Sequence, residues 1–107
     1  MMETIMKENF LARLPLSFQE DIGQAITLLL SEVCTEIYLF GSLVNGGYTE
    51  ESDIDIAVKG LQKGRFYEVG GKLMLRLKHN FDLIKLDDEN SRFVQILKNN
   101  QVILRVS

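Results

Sequence analysis

The chain has 107 residues, enough for one domain (1–107) with a single modest core, and its 46% apolar and 25% charged content is that of a globular protein. A net charge of −3 speaks against non-specific nucleic-acid binding, and the single Cys34 excludes an internal disulfide or a multi-cysteine metal site. No apolar run approaches the ~20 residues that span a bilayer, and the N-terminus lacks a basic-then-apolar signal pattern, so the expectation is a cytoplasmic protein with no membrane attachment.

Residues 2–13 read as a weakly amphipathic opening helix carrying Ile5, Met6 and Phe10, ended by Pro15, which pushes its predecessor out of the helical region. Ser17 and Glu20 have the spacing of a capping box, in which each side chain satisfies a free backbone donor at a helix start. Phe18, Ile22, Ala25, Ile26, Leu29, Leu30 and Val33 then follow at helical spacing. Cys34 is expected as a small buried filler before the next element. TEIYLFG suits a buried strand ending at Gly41, with Tyr38 and Phe40 as core or sheet-face aromatics. Gly46-Gly47 marks a loop, and Tyr48 within it is a candidate nucleotide contact.

DIDIAV alternates, so Ile54, Ile56 and Val58 point one way and Asp53, Asp55 and Ala57 the other. Phe66, Val69, Leu73, Met74 and Leu77 form a second helical stripe, weakened by Gly70-Gly71 at about 1 kcal/mol each relative to alanine. His79, after a basic helix end, is read as a surface or capping residue. FDLIKLD is a third strand with Asp82 near its start. Ser91 caps a short helix through Lys98, and VILRV is a final strand at an edge. The expected fold class is α/β (α+β), a mixed sheet of about four strands with helices packed on one face.

Charge is unevenly placed. Positions 32–55 hold six carboxylates and no Lys or Arg, whereas positions 59–78 hold six basic residues and one acid. The basic run reads either as a solvated helix face or as a surface turned towards phosphate or a partner. Two carboxylates about 5 Å apart at an effective dielectric of ~20 repel by about 3 kcal/mol, and a divalent cation turns that repulsion into attraction. Mg²⁺ prefers oxygen ligands and takes one or two carboxylates together with substrate phosphates. The Gly41-Ser42 step supplies a complement, because glycine lets backbone approach a ligand and a strand-to-helix turn aims N–H groups at an anion. Phosphate donors on one loop and metal-holding carboxylates on the next strand describe a site for a nucleoside triphosphate with metal.

A Gly-Ser turn, ten residues, then Asp-x-Asp, followed by an apolar-flanked Asp on a later strand, resembles the nucleotidyltransferase superfamily that includes polymerase β and kanamycin nucleotidyltransferase. The order GSLVNGG, SDIDIAV, FDLIKLD is most similar to the minimal nucleotidyltransferase (MNT) domains of HEPN–MNT toxin–antitoxin pairs, over residues 20–105. The resemblance implies that Gly41 and Ser42 hold the triphosphate of ATP and that Asp53 and Asp55 hold two Mg²⁺ ions. It implies that Asp82 helps bind the catalytic metal and takes the acceptor's proton; the plain alternative is a strand-start residue facing water. It further implies transfer of AMP to a hydroxyl of a HEPN-family partner in a hetero-oligomer. Two alternatives are a non-catalytic antitoxin acting by occlusion and a small-molecule enzyme of the aminoglycoside-modifying kind. The chain departs from the family's GSxARG pattern, with Asn45 in place of an arginine and Val44 in place of a small residue.

Overall fold

The computed structural model describes residues 2–3, 7–86 and 103–107. Helix α1 (Lys7–Ala12) follows a two-residue strand, β1 (Met2–Glu3), so the opening segment divides where one helix was expected. Helix α2 (Leu16–Ser31) starts one residue after Pro15, whose carbonyl accepts hydrogen bonds from the amides of Phe18 and Gln19. Ser17 therefore lies inside the first turn, and the expected capping box does not form, since α2 has no side-chain cap. Gln19 acts instead: its amide nitrogen donates to the Leu14 carbonyl at 2.7 Å and ties the preceding turn to the helix.

At its other end α2 closes with two backbone bonds, Val33 N–H to the Leu30 carbonyl and Cys34 N–H to the Leu29 carbonyl. This is a Schellman closure, whose left-handed position usually holds glycine. Here Val33 fills it, at φ +66°. The turn throws Val33 into solvent, and Leu30 is also exposed, so neither joins the stripe that their spacing suggested. Phe18, Ile22, Ala25 and Leu29 do face the core, and Cys34 is buried as expected.

The remaining elements are β2 (Glu36–Phe40), α3 (Ser42–Asn45), β3 (Ile54–Lys59), α4 (Phe66–Arg76), β4 (Phe81–Lys85) and β5 (Ile103–Arg105). The five strands form one sheet in the order β1-β5-β2-β3-β4. β2 is antiparallel to both β3 and β5, while β3–β4 and β1–β5 are parallel, so the sheet is mixed as expected. β5 was expected at an edge and lies instead between β1 and β2. The helix expected at 91–98 falls outside the described residues.

One face of the sheet, bearing Ile37, Leu39, Ile54, Ile56, Val58 and Leu104, packs against the apolar sides of α2 and α4. Met74 was expected on the inner stripe of α4 but is exposed, whereas Val69 and Leu73 are buried. The opposite face carries a second cluster around Tyr38, Phe40, Ala57 and Ile103. Glu32, at the end of α2, accepts hydrogen bonds from Arg65 and from Lys72 at 3.1 Å, which fastens α2 to α4. Two cations of the basic run are thus engaged within the fold. The same contacts, Arg65 first, hold the Glu32 carboxyl below its ordinary range.

Candidate active site

Gly41 follows the last residue of β2 at φ +77° and ψ −153°, a region of backbone space that is essentially glycine's alone. This conformation turns the chain directly into α3, where the Gly41 carbonyl accepts the amides of Val44 and Asn45 at 3.1 and 3.0 Å. A second reason for glycine comes from β3. A methyl group at position 41 would collide with the Asp55 carboxylate. The space left by the missing side chain is where that carboxylate sits.

Lateral register places Asp55 between two neighbours, Phe40 of β2 on one side and Asp82 of β4 on the other. Paired residues in a sheet point to the same face, here the face opposite the helices. Asp53 precedes β3 on the same phase and is exposed. It emerges from a tight turn in which Ser52 Oγ accepts the Thr49 amide at 2.8 Å and the Thr49 carbonyl accepts the Ser52 amide at 3.1 Å. The Ile54 amide then donates to the Asn80 carbonyl at 2.9 Å, which locks the start of β3 to the start of β4. The expected residues Gly41, Ser42, Asp53, Asp55 and Asp82 therefore come to one end of three adjacent strands.

The electrostatics follow from that crowding. Half-burial, the charge of Asp82, a hydrogen bond shared with Asp82 and the charge of Asp53 push the Asp55 carboxyl up to about 6. All available donors are carboxylate oxygens, which suits a hard divalent cation. Among the described residues, no group of three or more His, Cys, Asp or Glu side chains is set to hold a metal ion. The arrangement instead brings Asp55 and Asp82 together, two carboxylates, a number that matches Mg²⁺ when substrate phosphates complete its shell. The donor set fits the metal.

Two other acidic residues of the 32–55 segment are occupied elsewhere. Glu32 is bound as described, and Glu36 accepts a hydrogen bond from the buried Tyr38 hydroxyl. Burial, followed by that bond, pushes the Tyr38 phenol up to about 12. Tyr48 is half-buried and meets Phe18 edge-on at 6.0 Å, so it packs on the core beside the site.

His79 is a correction. It is neither a surface residue nor a simple cap: its ring stacks on Phe18 at 3.9 Å, and its Nδ1 lies 2.7 Å from Asp21 Oδ2. The same oxygen accepts the backbone amides of Lys78 and His79 at 2.9 and 2.8 Å. Asp21 is 2% exposed, and burial pushes its carboxyl up, but the bonds from His79 and Lys78 outweigh this and leave it below its ordinary range. Asp21 thus anchors the connection between α4 and β4, and through it the approach to Asp82. The signal was present in the sequence, since Asp21 sits in helical phase with Phe18 and Ala25 on the buried stripe.

Beside the carboxylates a cleft of about 700 Å³ runs between α4 and β4, with Asp53 and Asp82 in its lining. Among the described residues, no helix is long and apolar enough to cross a membrane.

The sequence profile of the family described as "Polymerase beta, Nucleotidyltransferase" matches residues 24–107. The protein of Methanocaldococcus jannaschii named "Putative protein adenylyltransferase MJ1547" is 36% identical over 69 residues, 63% of this chain and 52% of that protein. A chain from a toxin–antitoxin crystallised with AMP-PNP superposes with a TM-score of 0.53 at 35% identity, covering 62% of this chain and 57% of that one. The chain therefore spans little more than half the length of either. The profile match begins within α2 and takes in every strand from β2 to β5, including the carboxylate pair and the glycine turn beside it, and on that match the chain belongs to the polymerase beta nucleotidyltransferase family.

Proposed function

We propose that this chain transfers AMP from ATP to a hydroxyl of a partner protein, within a toxin–antitoxin pair whose other member is of the HEPN type. The observation that carries the reading is the Asp55–Asp82 pair, forced together beside a glycine that exists to make room for it. Support for the protein acceptor comes from the archaeal relative, named as a protein adenylyltransferase. Support for the pairing and the nucleotide comes from the toxin–antitoxin chain crystallised with AMP-PNP.

The residues divide the work. Gly41 and Ser42 bind the triphosphate, the Ser42 hydroxyl donating to a phosphate oxygen. Asp53, Asp55 and Asp82 would hold Mg²⁺, as two ions, and the metal would supply charge stabilisation for an in-line displacement. Asp82, at the outer strand, accepts the proton of the acceptor hydroxyl as its oxygen bonds to the α-phosphorus. The bond from that phosphorus to the bridging oxygen breaks, and pyrophosphate leaves with the electron pair.

Calorimetry with Mg²⁺ and AMP-PNP tests the site. Asp55→Asn should lose metal-dependent nucleotide binding, whereas Asp82→Asn should keep most of it and lose transfer of label from ATP. Unchanged binding in both Asp53→Asn and Asp55→Asn would overturn the assignment. The toxin–antitoxin likeness also favours a second reading, silencing by occlusion. In that case Asp82→Asn would protect cells as well as the wild type in a growth assay.

A further inference from the structure

Two adjacent glycines inside a helix lower its stability by about 1 kcal/mol each relative to alanine. In α4 nothing within the described chain requires them. Neither Gly70 nor Gly71 has a positive φ, and a Cβ on either would meet no atom within 4 Å. Both line the α4–β4 cleft that also contains Asp53 and Asp82. Around them α4 exposes bulky apolar side chains: Tyr67 is 88%, Met74 74% and Leu75 90% exposed. Gly71 lies four residues from both Tyr67 and Leu75, and Gly70 four from Met74, so these side chains flank a notch on one helix surface. A contiguous exposed apolar surface of this kind marks a contact site.

One cation lies in the same lining. Lys78 is exposed, and among the described residues its side chain has no ion-pair partner, in contrast to Arg65 and Lys72. An occupant bearing a carboxylate complements it. Position across the sheet selects which molecule enters here. Gly41 and Ser42 lie at the end of β2, Asp55 on β3 and Asp82 on β4, in that lateral order. The cleft runs along β4 and includes Asp82 and, just before β3, Asp53, but none of Gly41, Ser42 and Asp55. An in-line displacement brings the attacking oxygen in opposite the leaving group. With the triphosphate on the β2 side, the acceptor hydroxyl arrives from the β4 side.

We propose that the α4–β4 cleft is the docking groove for the acceptor protein. An apolar side chain of that protein seats over Gly70-Gly71 between Tyr67 and Met74. An acidic residue flanking it meets Lys78, and its hydroxyl reaches Asp82. This rests on the nucleotidyl-transfer reading above.

The test uses Gly71→Leu, which fills the notch, and Tyr67→Asp, which changes a side chain exposed on its rim. The probe is the purified product of the gene adjacent to this one. Both variants should bind Mg²⁺ with AMP-PNP within twofold of the wild type, and Gly71→Leu should melt no lower than it. Both should bind the probe at least tenfold more weakly, with transfer falling in step. Unchanged probe binding in both variants overturns the proposal, as does failure of the wild type to form the complex. Equal loss of nucleotide affinity also overturns it, by giving the cleft to the nucleotide, and so does a dimer of this chain that Gly71→Leu dissolves. Probe binding that the variants weaken, without any transfer by the wild type, would support the groove and count against the nucleotidyl-transfer reading alone.

Discussion

Asp55 is held where its charge is unfavourable. Gly41 gives it room, Asp82 faces it across β3 and β4, and together with partial burial these neighbours push its carboxyl up to about 6. An unfolded aspartate titrates near 3.9. Between those values the folded chain binds more protons than the unfolded one, so stability falls as pH rises through the interval and the loss is complete above about 6. Because the group is only partly buried, solvent screening reduces the effect to about 1–2 kcal/mol. Asp55→Asn removes it. In urea unfolding, the variant should match the wild type near pH 4 and exceed it by about 1–2 kcal/mol above pH 6. A difference that does not change with pH would show that the crowding of the pair is not felt as charge.

At the scale of elements, α2 shows both what the sequence discloses and what it hides. Its core stripe was legible from Phe18 to Leu29, because period and burial agree there. Its ends were not. Ser17 matched a capping box by spacing alone, while Pro15 had already set the helix start two residues too early for that box. Val33 matched the apolar period, yet the helix closes two residues before it in a turn that needs a left-handed residue. A β-branched side chain is strained there, by about 1–2 kcal/mol. Val33→Gly should therefore raise stability by about 1 kcal/mol, less than the strain because glycine also loses more freedom on folding. Thermal melts would read this as a rise of roughly 4–8 °C. A fall instead would mean that Val33 makes an apolar contact worth more than its strain. The candidate site was more legible than the helix ends. Strand alternation fixes which residues share a face, so Asp53 and Asp55 were paired by position. Asp21 was legible as an acid on the buried stripe of α2, but its role was not, because its partners, the amides of Lys78 and His79, lie far away in the chain and meet it only where α4 packs on α2.

For the molecule as a whole, the site and the fold compete for the same residues, and the competition has a measurable sign. The sheet brings acidic side chains of β3 and β4 together, an arrangement that weakens the empty chain and that a cation reverses. A ligand that binds only the folded state stabilises it by about 2.7 kcal/mol at one hundred times its dissociation constant. That exceeds the ~1–2 kcal/mol that Asp55→Asn gains by losing its charge at neutral pH. The order of stabilities should therefore cross. Without ligand at pH 7, Asp55→Asn should melt above the wild type. With saturating Mg²⁺ and AMP-PNP together, the wild type should rise by on the order of 10 °C and overtake a variant that scarcely responds. Mg²⁺ alone should do little, since two carboxylates leave most of its coordination shell to phosphate and water. An equal rise in both proteins would remove Asp55 from the proposed metal site, and an empty variant less stable than the wild type would show that the carboxylate pair supports the fold instead of straining it.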